Sequence, residues 1–528
     1  VFNDLVIDNK AKDGLWNYVK GKAKGEIMGW ASHNVSASIS AEDQIDFALS
    51  GALSLITIDN TNEALVEDGA QINQESGNLD PTGVFPVTIS AESEIVQFAA
   101  AGSPSVKKEF PTADATLKKL NKGLGFTVGG IALGNTTRAI VGGSYAASGE
   151  TPRVPTGPTR IAVGNNRTSD DEEPTVIDVG LNVRATGRAM VFQAAFSGST
   201  DSRYSLNGSG AIIDAESRPQ RVEAAIQPHT THGLVIEAVA GTAGDVRVAA
   251  DDSTTLVPIA GNYDDQKDQS VVSVGVSTGI ALMKRDVTAR LGDSVTATAP
   301  GAISLTGAGE VNLEANGAGL VASNAIAGSE RSASNAFADE ALEGMALLEY
   351  LDDGGVTVDR IGVGASGAVA YTKVDDTITA TVHHTGTMTA TEEAPLSVNA
   401  TNTSVVLANT GGIIKRNVSG EEKTSAGLSG AVSFINAAST VEASIRQATV
   451  HGFSLDVAAR NARSIGTVAA SGAGGSVGGA GSTTVNFAGS VAVASLTTNT
   501  IATLDRVTGT SLAGARIIAE TDDLVWNI

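Results

Sequence analysis

One pattern recurs along this chain and narrows what it can fold into. A Gly opens a short apolar strand, a polar stretch with Asn, Asp or Thr follows, and then comes an Ala with an apolar residue two places on. The opening glycines are Gly51, Gly130, Gly210, Gly279, Gly367, Gly430 and Gly489, and the matching alanines are Ala64, Ala139, Ala224, Ala289, Ala380, Ala443 and Ala502. That makes seven units, and toward the carboxyl end they shorten to about 60 residues, so the longer ones carry insertions. The clearest internal copy pairs Val222-Glu223-Ala224-Ala225-Ile226, which is followed by His232-Gly233, with Val441-Glu442-Ala443-Ser444-Ile445, which is followed by His451-Gly452.

Within a unit the period is two, the period of a strand whose side chains alternate between faces. Val441, Ala443 and Ile445 are therefore expected to point inward, with Glu442 and Ser444 outward. Val432 and Phe434, and Val491 and Val493 in the last unit, are expected to share the inward face. Short strands separated by Gly, Asn, Asp and Ser, recurring with no helix between copies, point to an all-β chain of the β-helix or β-solenoid kind. A unit of about 60 residues would supply three rungs of about 20 each, with Gly at corners that need positive φ. Composition agrees: aromatics are 4% and Val, Ala, Ser and Thr are abundant, which suits a thin core of small and β-branched side chains. An immunoglobulin-like array would want a large buried aromatic in each unit, and three Trp cannot supply seven.

The chain divides into an amino-terminal cap or docking segment over residues 1–30 and a continuous solenoid over residues 31–528. Residues 10–24 of the cap gather basic side chains around Leu15, Trp16 and Tyr18. The insertions read as short helices and loops. Residues 111–122 form a short helix that Thr112 or Asp114 can cap, and residues 334–351 a longer one with Phe337, Ala341, Leu342, Met345, Leu348 and Leu351 near one face. Residues 153–174, with three prolines, read as an exposed loop, and the Gly-rich run 470–481 as a tight corner or link.

The formal charge of −23 disfavours nucleic acid and anionic membranes as partners, since both attract cations. With no cysteine there is neither a disulfide framework nor a thiolate metal site. No apolar run approaches the roughly 18 residues of a membrane-spanning helix. The chain starts without Met and ends at Trp526-Asn527-Ile528, and it reads as a mature form or a piece of something longer.

Several catalytic-looking motifs lack their context. Residues 362–367 match the glycine fingerprint of dinucleotide sites, but a strand follows where a helix is needed. Residues 275–279 match a nucleophile elbow around Ser277, and again a strand follows. The six histidines are His33, His229, His232, His383, His384 and His451; His232 and His451 read as turn residues at equivalent positions of two units. No catalytic, cofactor or metal residue is assigned. Asp251-Asp252, Asp352-Asp353 and residues 170–173 read as solvated acidic loops, with calcium as the alternative.

Segments such as residues 51–66 and 452–459 resemble the repeats of large bacterial surface and secreted proteins, in the manner of filamentous haemagglutinin-like adhesins and repeat-rich leukotoxins. The resemblance covers roughly residue 32 onward. It implies a right-handed parallel β-helix, export across an outer membrane, and a cell-surface or extracellular location. The function expected is structural or adhesive, with other copies of the chain, neighbouring repeats of a longer chain, or a host or neighbouring cell surface as partners. A polysaccharide-degrading β-helix enzyme and a passenger fragment of a secreted toxin are the alternatives.

Overall fold

The computed structural model describes residues 45–73, 86–106, 120–143, 157–163, 180–200, 204–228, 232–238, 244–268, 272–294, 301–333, 361–384, 386–419, 424–478, 483–510 and 514–528. The expected cap over residues 1–30 and the expected helix over residues 334–351 lie outside them.

The described chain winds through seven coils. The first holds β1 (Ile45–Glu67), β2 (Gln71–Ile72) and β3 (Val87–Val106); the second holds β4 (Leu120–Gly143), β5 (Thr159–Val163) and β6 (Leu181–Thr200). The third holds β7 (Tyr204–Ile226), β8 (Leu234–Ala238) and β9 (Gly244–Asp268); the fourth holds β10 (Val272–Gly292) and β11 (Ile303–Ala333). The fifth holds β12 (Ile361–His383), β13 (Thr387–Asn402) and β14 (Val405–Ser419); the sixth holds β15 (Thr424–Arg446), β16 (Thr449–Asn461) and β17 (Ser464–Gly478). The seventh holds β18 (Thr483–Asp505), β19 (Thr508–Thr510), β20 (Gly514–Thr521) and β21 (Leu524–Asn527).

The long strand that opens each coil joins one sheet in the order β1-β4-β7-β10-β12-β15-β18. The return strands build a second sheet of 14 strands. The ladders between coils are parallel, such as β15 on β12 and β16 on β13. The chain is thus an all-β parallel solenoid. Stacking coils pairs each strand's backbone groups with the coil above and below, which a single coil cannot do alone.

The repeat alanines are placed as the pattern implies. Ala64, Ala139, Ala224, Ala289, Ala380, Ala443 and Ala502 form one unbroken column through the first sheet. The apolar residues two places on, from Val66 to Leu504, form the next inward column. Together they line the main core cluster with Val183, Val248, Leu313, Val398 and Val457 of the facing sheet.

The size of the rung differs from the expectation. A unit is one wide coil, not three narrow rungs. A 23-residue strand such as β15 spans about 75 Å, whereas seven coils rise only about 30 Å, so the described part is broader than tall. The opening glycines do not turn corners either. They sit in extended backbone within the long strands, and Gly51, Gly367, Gly430 and Gly489 share one column with Phe126, Gly208 and Val276. Corners use other residues. Gly142 (φ 79°) and Gly292 (φ 108°) close long strands, and a Cβ there would meet a carbonyl oxygen of the next coil at 1.9 and 2.0 Å.

Three insertion assignments change. Leu120 to Lys122, expected to end a helix, begin β4; the expected loop over residues 153–174 contains the buried strand β5; and residues 470–478 of the Gly-rich run belong to β17, not to a corner. In each case pairing to the neighbouring coil supplies backbone partners that local sequence does not reveal.

Ala443 is fully buried in its column. Replacing it with Leu should overpack the coil and destabilise the fold by about 1–3 kcal/mol. The outward change Thr379→Val should cost far less. Chemical denaturation of both variants checks the register.

Candidate binding surface

Across each coil the interior changes character. In the carboxyl half of the long strands Val, Ala, Ile and Leu face inward and charged or polar residues face out. The salt bridges Arg138–Glu223 (3.1 Å), Arg290–Glu223 (2.9 Å) and Arg446–Glu442 (2.6 Å) lie on that outer face. Val441, Ala443 and Ile445 are buried as expected, and Glu442 is half-buried on the outer side. Ser444 points to the same outer side, where Thr381 (3.1 Å) and Glu442 (3.1 Å) cover it and leave it buried.

In the amino half the polarity is inverted. Ser205, Asn207, Ser209, Ser273, Ser277, Ser366 and Ser429 face inward and are buried. The two sheets converge there, too close for large side chains. A Cβ on Gly279 would sit 2.5 Å from the Asn324 carbonyl oxygen, and one on Gly412 would sit 2.7 Å from that of Gly430. Hydroxyls bridge the gap: Ser277 donates to Ile326 O (2.7 Å), Thr127 to Phe196 O (2.9 Å) and Thr372 to Leu407 O (2.6 Å).

The large apolar residues of this half therefore face outward. Val432, Phe434, Val491 and Val493, expected inside, lie on the outer face. Their columns run across the sheet as Leu53-Val128-Gly210-Thr278-Val369-Val432-Val491 and Leu55-Gly130-Ile212-Ile280-Tyr371-Phe434-Val493. A further column carries Leu124, Leu206, Val274, Ala365, Leu428 and Phe487. Exposure is high even in middle coils, at 44% for Val276 and 58% for Leu428. Tyr371 stacks on Phe434 with ring centroids 5.5 Å apart. Charge returns one column further on, with Asp214 and Lys373.

The second sheet shows a similar outer strip. Phe98 stacks on Phe192 at 5.1 Å, and the Trp526 indole lies over Gly466, where a Cβ would meet its ring at 2.2 Å. A groove of about 560 Å³ there is lined by Phe196, Ile259, Ile326 and Ile413, with Lys415 at its rim.

Between the two halves runs a buried polar seam. Asn60, Asn135, Gln220, Arg285, Asp376, Ser439 and Thr498 form one column of the first sheet. Each stands four residues before a repeat Ala, on the same inward face, so the repeat itself marks the seam. Facing it are Ser93, Gly187, Asp252, Gly317, Asn402 and Asn461. Arg285 is fully buried at the centre. It donates twice to Asp376 (3.1 and 2.8 Å), and also to Asp252 (3.3 Å), Asn402 (3.1 Å) and the Ala318 carbonyl. Gly317 leaves room for it, since a Cβ there would meet the guanidinium at 3.0 Å. Burial pushes the Asp252 carboxyl up to about 6, against the pull of Arg285. Near the carboxyl end Arg463 plays a similar part, donating to Asp523 (2.9 Å) and Thr498 (2.7 Å).

The residues singled out in the sequence are scattered. Ser277 is buried mid-strand and hydrogen-bonded to Ser209 (3.0 Å), and residues 362–367 lie within β12. Asp251 and Asp252 are not a loop: they lie in β9, with Asp251 facing Arg184 (3.5 Å) outside and Asp252 inside. Asp352-Asp353, residues 170–173, His33 and His229 lie outside the described residues. His232 and His451 are not equivalent, because His451 stacks over Thr389 within β16 while His232 precedes β8. His383 contacts the Ser294 carbonyl (2.8 Å). His384 accepts from the Gly386 N–H (3.0 Å) and faces Met388 Sδ (3.0 Å); burial and the neighbouring His383 hold it down at about 4. Among the described residues no group of three or more His, Asp or Glu is placed to hold a metal ion, and no helix is long and apolar enough to cross a membrane.

No family model, curated protein or solved structure matches the chain.

Two buried groups set opposing pH dependences. Asp252, raised from 3.8 to about 6, adds stability that is complete below about pH 4 and is lost as pH rises to about 6. His384, lowered from 6.5 to about 4, adds stability that is complete above about pH 6.5 and is lost as pH falls to about 4. Asp252→Asn should leave a fold whose urea midpoint rises between pH 4 and 6.5, and His384→Gln one whose midpoint falls over pH 4 to 6. Removing the cation with Arg285→Met should cost about 3–5 kcal/mol at pH 7, because it strands two buried carboxyls.

Proposed function

We propose that this chain is a stretch of a secreted or cell-surface structural and adhesive repeat protein, working outside the cell and not as an enzyme. The observation that carries this reading is the uncharged, mostly apolar half-face of the first sheet, repeated coil after coil on a scaffold of net charge −23. Exposed apolar strips of this extent mark contact surfaces, and the charged half of the same face keeps the remainder in water. The repeat's resemblance to filamentous haemagglutinin-like adhesins points the same way. Its partners are other copies of the chain, neighbouring repeats of a longer chain, or a host or neighbouring cell surface.

The chain immobilised on beads should retain cells over beads carrying an inert protein of equal charge. Attachment no better than that control would overturn the adhesive reading. Release of oligosaccharides from acidic polysaccharides would move the chain to the enzymes.

A further inference from the structure

The outer faces of the two sheets are not equal candidates for burial. On the second sheet the strip is broken by Asn324 and Asn409 and by a groove with Lys415 at its rim. On the first sheet, among the described side chains of the four columns from Leu124 to Gly130 and their partners in the other coils, Thr278 and the Tyr371 hydroxyl are polar and none is charged. With strands about 4.8 Å apart and columns about 6.7 Å apart, this face covers roughly 900 Å². Monomers seldom expose an apolar patch above about 300–600 Å², and a stable pair of proteins buries about 800 Å² on each side.

The face is also shaped to fit a copy of itself. Gly367, Gly430 and Gly489 line a furrow across the last three coils. Leu428 and Phe487 form a ridge on one side of it, and Val369, Val432 and Val491 form a ridge on the other. A Cβ added at any of the three glycines meets nothing within 4 Å, so the furrow is open space.

We propose that this face is an interface between two copies of the chain, related by a two-fold axis, with a ridge of each set into the furrow of the other. The inference rests on the structural reading above only in taking a second copy as the partner. A two-fold contact uses the same patch on both chains, so a self-complementary ridge and furrow suffice. The contact strip lacks charge, and the rest of the chain is acidic. Salt therefore screens repulsion between the copies and tightens the pair.

Sedimentation velocity of the full chain over a concentration series tests this. The expected result is a monomer–dimer equilibrium that shifts toward dimer as salt rises. Gly367→Val with Gly430→Val fills the furrow with strand-favouring side chains and should leave thermal stability unchanged or raised, while weakening dimerisation by about 100-fold. Gly472→Val, on the second sheet, should not change it. A wild-type chain that stays monomeric at high concentration and high salt overturns the proposal, as does a furrow-filled double variant that dimerises as well as the wild type. A maleimide-resistant Val432→Cys in a monomeric chain would give the face to another segment of the same chain. Flotation with neutral phosphatidylcholine vesicles, without dimers, would give it to lipid; both outcomes overturn it. Cell attachment measured in parallel separates a failure of this contact from a failure of the adhesive reading.

Discussion

The gap between the two sheets governs which side chain can stand at each place in this solenoid. Where the sheets are far apart, Val222, Leu291, Ile445 and their neighbours fill the space, and burial of β-branched and aliphatic groups supplies the main stabilisation. Where the sheets converge, the same alternation must be met with Ser, Gly and Ala inside. Inward hydroxyls there bond to facing backbone carbonyls, as Ser277 does to Ile326, or to one another, as Ser273 and Ser329 do. Val and Leu still suit the strand backbone, so in this half they occupy the outer face. The exposed apolar surface is thus a direct consequence of a thin edge.

The polar seam lies where the coil changes from one regime to the other. The second sheet turns a corner between β13 and β14 and again between β16 and β17, and corner residues leave backbone groups without ladder partners. Asn402 Oδ1 accepts the Ser404 N–H (3.2 Å) and Asp523 Oδ1 the Arg463 N–H (3.3 Å), together with coil-to-coil bonds such as Thr403 N–H to Gly317 O (2.8 Å) and Ala462 N–H to Asn402 O (2.8 Å). Arg285 is the costly member. A buried guanidinium is tolerable because two carboxylates, two side-chain oxygens and a carbonyl surround it. Such a cluster contributes less to stability than apolar packing of equal volume would. Its fixed geometry ties the fourth coil, through Arg285, to the third through Asp252 and the fifth through Asp376.

Much of the fold was legible in the amino-acid order. Stacked coils place equivalent residues of successive units above one another, so the alanine column, the apolar column after it and the polar column four residues before it are all written as a repeat. Seven coils, parallel pairing and a core around Ala443 follow from that. The width of a coil did not follow, because the spacing of units is equally compatible with one wide rung or three narrow ones. The strands at residues 159–163 and 470–478 were hidden too: their local composition reads as loop, and pairing with a neighbouring coil overrides it.

Facing direction marks the boundary between what the order of residues determined and what the tertiary structure decided. Alternation fixes that Val432 and Phe434 share one face and Ser429 and Ser433 the other, since a strand has period two. It does not say which face is inside. At Val441 the apolar face is buried, and at Val432, in the same strand, it is exposed. The difference is the distance to the opposing sheet, a quantity set by how the whole coil closes and encoded in no single segment.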